Sequence, residues 1–206
     1  MTTELSNWEP RVPAEARALI RGWLAPFDCL VFITRSRISK YGDFTPAQRG
    51  RRAVITVNGD LTPFRFMLTL THEIAHLMTW RNHGRRVKPH GPQWKRTFGE
   101  LLGALAQLEA LPDALKTALG NHAKKPKSTA SYDPDLNRVL RMLEGDDAPC
   151  LDELELGQEF FFRGRHFRKL TSDRTRCVCL DLGVGRKYRI SKAAAVEPVD
   201  GPWIGA

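Results

Sequence analysis

Residues 71–77, Thr71-His72-Glu73-Ile74-Ala75-His76-Leu77, place two histidines four positions apart inside an apolar segment. Side chains four positions apart on an α-helix project from the same face, one turn above the other. His72 and His76 therefore offer two nitrogen atoms at a spacing that a single Zn²⁺ can bridge. Glu73, the next residue round the helix, is placed to hold a water molecule and take its proton. The pattern predicts a zinc hydrolase, and the competing interpretation is a helix whose histidines are ordinary core residues.

The segment that carries this motif is predicted to form the central buried helix of its domain. Thr62 can cap its N-terminus, Pro63 suits the first helical position, and Gly84 ends it. Apolar side chains cover nearly the whole circumference between these limits, which is typical of a buried helix. Polar side chains in such a helix need partners, and a metal ion supplies partners for all of them together. Burial therefore favours a metal site over core histidines.

A catalytic zinc site also needs a third protein ligand. Thr79 and Asn82 stand where the metzincin pattern requires glycine and histidine, which excludes that class. His83 follows His76 by seven residues, about 10 Å along the helix axis, which is too far to share the ion. Glu100, on the next predicted helix, is the carboxylate that a gluzincin arrangement would use, and it stays open as an alternative.

His90 is the favoured third ligand. It begins the run His90-Gly91-Pro92-Gln93-Trp94, immediately before the second predicted helix. Gly91 allows a tight backbone path and Pro92 fixes the start of the helix, so the histidine is held with little freedom. The sequence therefore predicts a metal site made of three histidines.

Helix and strand signals flank the motif on both sides. Periodic apolar residues predict a helix over 13–24, and β-branched runs predict buried strands over 29–34 and 52–57. Residues 40–44 form either an extra edge strand or a loop. Beyond the motif the patterns predict further helices from Pro92, over 111–119 and over 135–143, and strands over 160–162, 176–180 and 187–190.

Positive charge is concentrated near the C-terminus. The formal net charge of the chain is +9, and residues 163–192 hold ten basic residues against two acidic ones. The basic residues are Arg163, Arg165, Arg168, Lys169, Arg174, Arg176, Arg186, Lys187, Arg189 and Lys192. Clustering of this kind favours a binding face for a polyanion over general solubility, and nucleic acid is the usual polyanion.

The rest of the composition predicts a cytoplasmic protein without a membrane segment. The N-terminus has no basic region followed by an apolar run, and no apolar run approaches the length of a membrane span. The four cysteines are few and irregularly spaced, which fits a reducing compartment. Buried free thiols are the expectation for those near the C-terminus. The alternative is a second zinc site built from Cys150, His166, Cys177 and Cys179.

The two motifs together resemble the SprT-like zinc metallopeptidase family, which includes the Spartan DNA–protein crosslink proteases. The resemblance rests on 71–77 and 90–94 and covers roughly residues 10–120, with Gln93 as a departure where an acidic residue is common. In that family three histidines bind zinc and the motif glutamate is the catalytic base. The resemblance therefore implies these roles for His72, His76, His90 and Glu73. Residues 164–167 and 175–177 resemble the metal-free β-domain that ends some bacterial SprT-like proteins.

These observations predict an α+β chain with a zincin-like metallopeptidase domain over residues 1–122. A linker with a short helix follows over 123–150, and a small basic all-β domain over 151–206. The expected function is that of a zinc-dependent metalloendopeptidase acting on proteins on or near DNA. An extended substrate would lie near residues 41–44, and Tyr41 and His83 are candidate oxyanion donors. The alternatives are a nucleic-acid-binding or adaptor protein with a structural or vestigial zinc site, and a zinc hydrolase for another substrate.

Overall fold

A computed structural model of the protein describes residues 8–37, 40–48, 50–128, 133–146 and 148–199. The chain divides into two compact units, Met1–Lys127 and Ser128–Ala206. The described residues form five α-helices and two β-sheets, which confirms the predicted α+β class. None of the described helices has the length and apolar character needed to cross a membrane. Residues 1–7, to which the prediction about a secretory signal applies, lie outside the described part of the chain.

The first unit packs four helices with a three-stranded sheet. Its helices are α1 (Ala14–Leu24), α2 (Pro63–His83), α3 (Pro92–Ala106) and α4 (Asp113–Lys124). Its strands are β1 (Cys29–Thr34), β2 (Gly42–Thr45) and β3 (Ala53–Asn58), in the order β1-β3-β2. β1 runs parallel to β3, and β2 runs antiparallel to β3 at the edge of the sheet. Either an edge strand or a loop is predicted for residues 40–44, and the structure shows an edge strand over Gly42–Thr45.

Helix α2 begins and ends where the sequence predicts. Thr62 occupies the N-cap position, although its side chain forms no cap hydrogen bond, and Pro63 lies in the first turn. Gly84 at the C-cap has a φ of 70°, a conformation that favours glycine. Phe66, Met67, Leu70 and Ile74 are among its fully buried side chains. The helix is therefore a core element, and of the motif side chains Glu73 is buried whereas His72 and His76 are half-buried.

The second unit holds one helix and a five-stranded antiparallel sheet. Its elements are α5 (Pro134–Leu143), β4 (Glu159–Phe162), β5 (Arg165–Ser172), β6 (Arg176–Asp181), β7 (Lys187–Ser191) and β8 (Glu197–Pro198). The strand order is β7-β6-β5-β4-β8. Helix α5 is tied to this unit, because Asn137 Nδ2 donates a hydrogen bond to the carbonyl of Ala193 at 3.0 Å. The domain boundaries at 122 and 150 stay a prediction, and residues 129–132 and 147 of that linker lie outside the described ranges.

Candidate metal centre

Three histidines meet at one point of the first unit. His72 and His76 come from α2, and His90 comes from the turn before α3. Each pair of their Nε2 atoms is 3.1 Å apart, so the three nitrogens form an equilateral triangle. Among the described residues this is the one group of three or more His, Cys, Asp or Glu side chains positioned to hold a metal ion. Glu100 and His83 are both exposed and lie outside the group.

The donor set of this triangle fits a zinc ion. Tetrahedral zinc with Zn–N bonds of about 2.0–2.1 Å separates its nitrogen ligands by roughly 3.3–3.4 Å, close to the spacing observed here. Burial, reinforced by the neighbouring imidazoles, lowers the pKa of His72 to about 2 and that of His76 to about 4. Burial also lowers the pKa of His90, with a further contribution from Lys95. All three rings are therefore neutral at physiological pH, as metal ligands must be.

The backbone at His90 adopts a left-handed conformation. Its φ is 56°, which is uncommon for a residue other than glycine. Pro89 precedes it, and the Gly91 N–H donates to the Lys88 carbonyl at 2.9 Å, so the turn has the pattern of type II. The sequence predicts that Gly91 provides the tight backbone path, but the residue with the left-handed conformation is His90. Glycine is needed at position 91 for space, because a Cβ there would approach the Lys88 oxygen to 2.8 Å.

The Trp94 ring packs against all three imidazoles of the triangle. Its ring centre lies 4.7 Å from those of His72 and His90 and 5.2 Å from that of His76. The side chain is 1% exposed, so it fixes the three imidazoles from the apolar side. The sequence showed Trp94 only as part of a motif. The sequence feature that could have indicated this packing role is the position of Trp94, four residues after His90.

Glu73 lies on the side of α2 that faces the edge strand β2. Its side chain is buried, and a Cβ at Gly42 would lie only 2.5 Å from its Oε1 atom. The β2 backbone therefore passes directly against this carboxylate. Burial raises the pKa of Glu73 to about 8, Asp43 raises it further, and Arg37 and Lys40 oppose the shift. The carboxyl group is thus a stronger proton acceptor than an exposed glutamate.

A buried asparagine holds the segment that leads into β2. Asn58 Nδ2 donates to the carbonyls of Arg37 and Lys40 at 3.1 and 3.2 Å, and its Oδ1 accepts from Arg37 Nε at 2.8 Å. Lys40 in turn forms an ion pair with Asp43 at 2.8 Å. These contacts position the charged groups around Glu73. The Asn58 contacts join residues 18 to 21 positions apart, so no local sequence pattern predicts them.

Comparison with known proteins supports the interpretation of the three histidines as a metal centre. The model of the SprT-like family matches residues 46–112. This segment is SprT-like. It holds all four predicted site residues and spans about a third of the chain, and the match confirms the resemblance drawn from the two motifs. A SprT-like segment suggests a zinc metallopeptidase-like protein. No match was found among the curated proteins or among the solved structures.

The cysteines outside the SprT-like segment do not assemble a second centre within the described residues. Cys150, Cys177 and Cys179 are buried free thiols, and the only group of potential metal ligands found in the described ranges is the histidine triangle. Cys150 accepts a hydrogen bond from Arg141 Nη1 at 3.2 Å, and His166 Nε2 lies 2.8 Å from a carboxylate oxygen of Glu159. The structure thus favours buried thiols over the four-residue zinc site.

Proposed function

We propose that the protein is a zinc-dependent metalloendopeptidase with a zincin-like catalytic unit. The observation that carries this proposal is the arrangement on α2: two histidines complete a nitrogen triangle with His90, and a buried glutamate lies between them in sequence. Three neutral protein ligands are the donor set that catalytic zinc sites use, and a bound ion would keep a position for substrate. The SprT-like match over residues 46–112 points to the same class of protein.

The residues divide the work of peptide hydrolysis between them. His72, His76 and His90 would hold Zn²⁺, which when bound polarises a carbonyl and lowers the pKa of water. Glu73 takes a proton from the attacking water and passes it to the leaving amine. Its burial suits this role, because a raised pKa brings a carboxylate closer to the operating pH. Trp94 and the turn at Pro89 keep the ligands in place.

The substrate would bind as an extended chain along β2. Among the described strands β2 is an edge strand, with β3 on one side. An exposed edge can accept an extended peptide through main-chain hydrogen bonds, a common mode of peptide recognition. Gly42 brings this edge against Glu73, so a peptide paired with β2 passes beside the catalytic base.

The test of this function is the Glu73→Gln variant of the full chain. We expect digestion of denatured casein to fall by a factor of about 10²–10⁴, as expected for loss of a general base, while zinc content stays unchanged. Glu100→Gln is the matched control, since Glu100 is exposed and lies outside the triangle. Undiminished digestion by Glu73→Gln protein would refute the role of Glu73 as the base, and no digestion by the zinc-loaded wild-type protein would remove the peptidase assignment.

We also propose that the second unit binds nucleic acid and so brings the peptidase to proteins on or near DNA. A cavity of about 510 Å³ there is lined by arginines and aromatic rings. The Arg165 guanidinium lies 4.5 Å from the ring centre of Tyr188, and that of Arg163 lies 5.2 Å from Phe162. Cations combined with aromatic faces are typical of surfaces that bind single-stranded nucleic acid. Arg165 is paired with Asp181, whereas Arg163 has no acidic partner in the described part of the unit.

The same cavity supports the second candidate function, that of a nucleic-acid-binding adaptor with a structural or vestigial zinc site. Binding of a fluorescent oligothymidylate separates the cases. We expect affinity to fall steeply between about 50 and 200 mM salt and to fall in Arg163→Glu protein. Binding that is indifferent to salt would remove the nucleic-acid proposal. The adaptor function would be favoured if oligothymidylate binding persists after zinc is removed by a chelator and the protein shows no proteolysis under any condition. The free cysteines support a cytoplasmic location in either case.

A further inference from the structure

A second cavity lies in the first unit, beyond the residues assigned to the metal centre. Its volume is about 540 Å³. It is formed at the end of the sheet where β1 and β3 begin and β2 ends, and α2 closes it. The residues that matter for its chemistry are Phe27, Arg51, Arg52, Leu77, Trp80 and Arg81.

Strand β2 connects this cavity to Glu73. At one end of the strand, Gly42 lies against the Glu73 carboxylate. Two residues later, Phe44 contacts Trp80 in an edge-to-face arrangement with ring centres 6.5 Å apart. Trp80 follows Glu73 by seven positions on α2, which is about 10 Å along the helix axis. A chain that runs along β2 from Glu73 therefore reaches the cavity.

The inner wall of the cavity is apolar. Phe27, Leu77 and Trp80 supply ring and aliphatic surface, and the Trp80 indole Nε1 is buried without a hydrogen-bond partner in the described structure. A buried donor without a partner is unfavourable, and a ligand with an acceptor group would supply that partner. The wall therefore suits a large apolar side chain that has an oxygen nearby.

The rim of the cavity is cationic. Arg51 and Arg81 are exposed, and neither has an acidic partner among the described residues. Arg52 is neutralised by an ion pair with Asp28, the one acidic residue of the described lining. Two guanidinium groups are thus left to receive negative charge. Guanidinium groups bind carboxylates through paired, charge-assisted hydrogen bonds.

We propose that this cavity is the pocket that selects the peptide substrate, and that it takes an aromatic side chain flanked by carboxylates. The proposal rests on the proposed peptidase function and adds the class of substrate. An extended peptide advances about 3.3 Å per residue, so three residues cover the distance of about 10 Å between Glu73 and Trp80. The selected side chain therefore lies about three residues from the bond that is cut.

Peptide binding by Glu73→Gln protein tests the proposal without relying on cleavage. The probes are fluorescein-labelled, alanine-rich peptides with Phe-Glu-Glu, Phe-Lys-Lys or Ala-Glu-Glu at their centre, measured by fluorescence anisotropy on the full chain. We expect the Phe-Glu-Glu peptide to bind at least about tenfold more tightly than either of the others. Arg51→Glu/Arg81→Glu is expected to abolish this preference. The matched control is Lys124→Glu/Lys125→Glu, the same change of charge at exposed positions away from the cavity lining.

Equal binding of the three peptides, or a preference that survives Arg51→Glu/Arg81→Glu, would overturn the proposal. Displacement of the peptide by unlabelled oligothymidylate, blocked by the same arginine changes, would also overturn it, because the cavity would then serve nucleic acid. Arg51→Gln and Arg81→Gln serve if the double variant fails to fold, and each is expected to weaken the preference. Absence of casein digestion by the wild-type protein would refute the peptidase function, and the peptide preference would still decide the pocket.

Discussion

Gly42 and Glu73 are in direct contact across the boundary between β2 and α2. A Cβ at position 42 would lie 2.5 Å from Glu73 Oε1 and 2.9 Å from its Cγ atom. Separations below about 3 Å between nonbonded carbon and oxygen atoms are strongly repulsive, so only glycine fits without a shift of strand or carboxylate. The position of the proposed base is thus set by a residue that carries no functional group.

Gly42→Ala is expected to reduce proteolysis while leaving the zinc site intact. A displacement of about 1 Å of a catalytic group can cost a factor of about 10² in rate, and we expect a loss of this order in kcat for a peptide substrate. Zinc content is measured on the same preparation. Gly103→Ala is the control, because a Cβ there has open space in α3. Full activity in Gly42→Ala protein would show that Glu73 is not held by β2.

Trp94→Ala is expected to destabilise the first unit and weaken metal retention together. Truncating a fully buried tryptophan typically costs about 3–5 kcal/mol, measured here as the free energy of unfolding in urea. Loss of the Trp94 ring also removes the surface on which the three imidazole rings pack. Zinc is therefore expected to leave at lower concentrations of a competing chelator. Trp94→Phe keeps an aromatic face and is expected to retain more zinc than Trp94→Ala. Equal retention by both variants would contradict a positioning role.

Sequence patterns sufficed for the elements with strong local signals. The α2 boundaries follow from Pro63 in the first turn and Gly84 at the C-cap, and the three histidines come together as their spacing and the Pro92 helix start indicate. Strand β5 received no strand prediction, because the charged residues Arg168 and Lys169 interrupt its apolar alternation. Lys169 is nevertheless buried, and its ammonium group donates to the carbonyls of Asp152 and Leu154.

The remaining features of the site depend on contacts between segments distant in sequence. The approach of Gly42 to Glu73 requires the pairing of β2 with β3 and the packing of both on α2. The positive φ of His90 could not be anticipated, since a histidine adopts it only where the surrounding structure compels it. Asn58 likewise looks like a turn residue until its partners Arg37 and Lys40 are known.

Asn58→Leu is expected to lower the free energy of unfolding by about 2–3 kcal/mol. The change removes two hydrogen bonds to part-buried backbone carbonyls and also the oxygen that accepts from Arg37 Nε. Urea denaturation measures the loss, with Asn121→Leu, at an exposed site on α4, expected to change stability by less than about 0.5 kcal/mol. A similar effect of both variants would mean that the Asn58 hydrogen bonds do not hold this segment.

The buried thiols predict a loss of stability at high pH. Burial raises the pKa of Cys179 to about 12, whereas a thiol in an unfolded chain titrates near about 8.5. Between these values the unfolded state binds fewer protons than the folded state, so stability falls as pH rises. Cys179→Val removes this thiol, and its unfolding free energy is expected to fall less steeply than that of the wild type above about pH 9. Identical slopes would mean that Cys179 does not titrate differently in the two states.

Metal content tests the central claim most directly. Elemental analysis of the purified full-length protein is expected to give one zinc ion per chain for the wild type. Glu100→Ala protein is expected to retain that ion, because Glu100 is exposed and lies outside the histidine triangle, whereas His90→Ala protein is expected to lose it. Zinc retained in full by His90→Ala protein, or lost only on changing Glu100, would contradict a centre built from His72, His76 and His90.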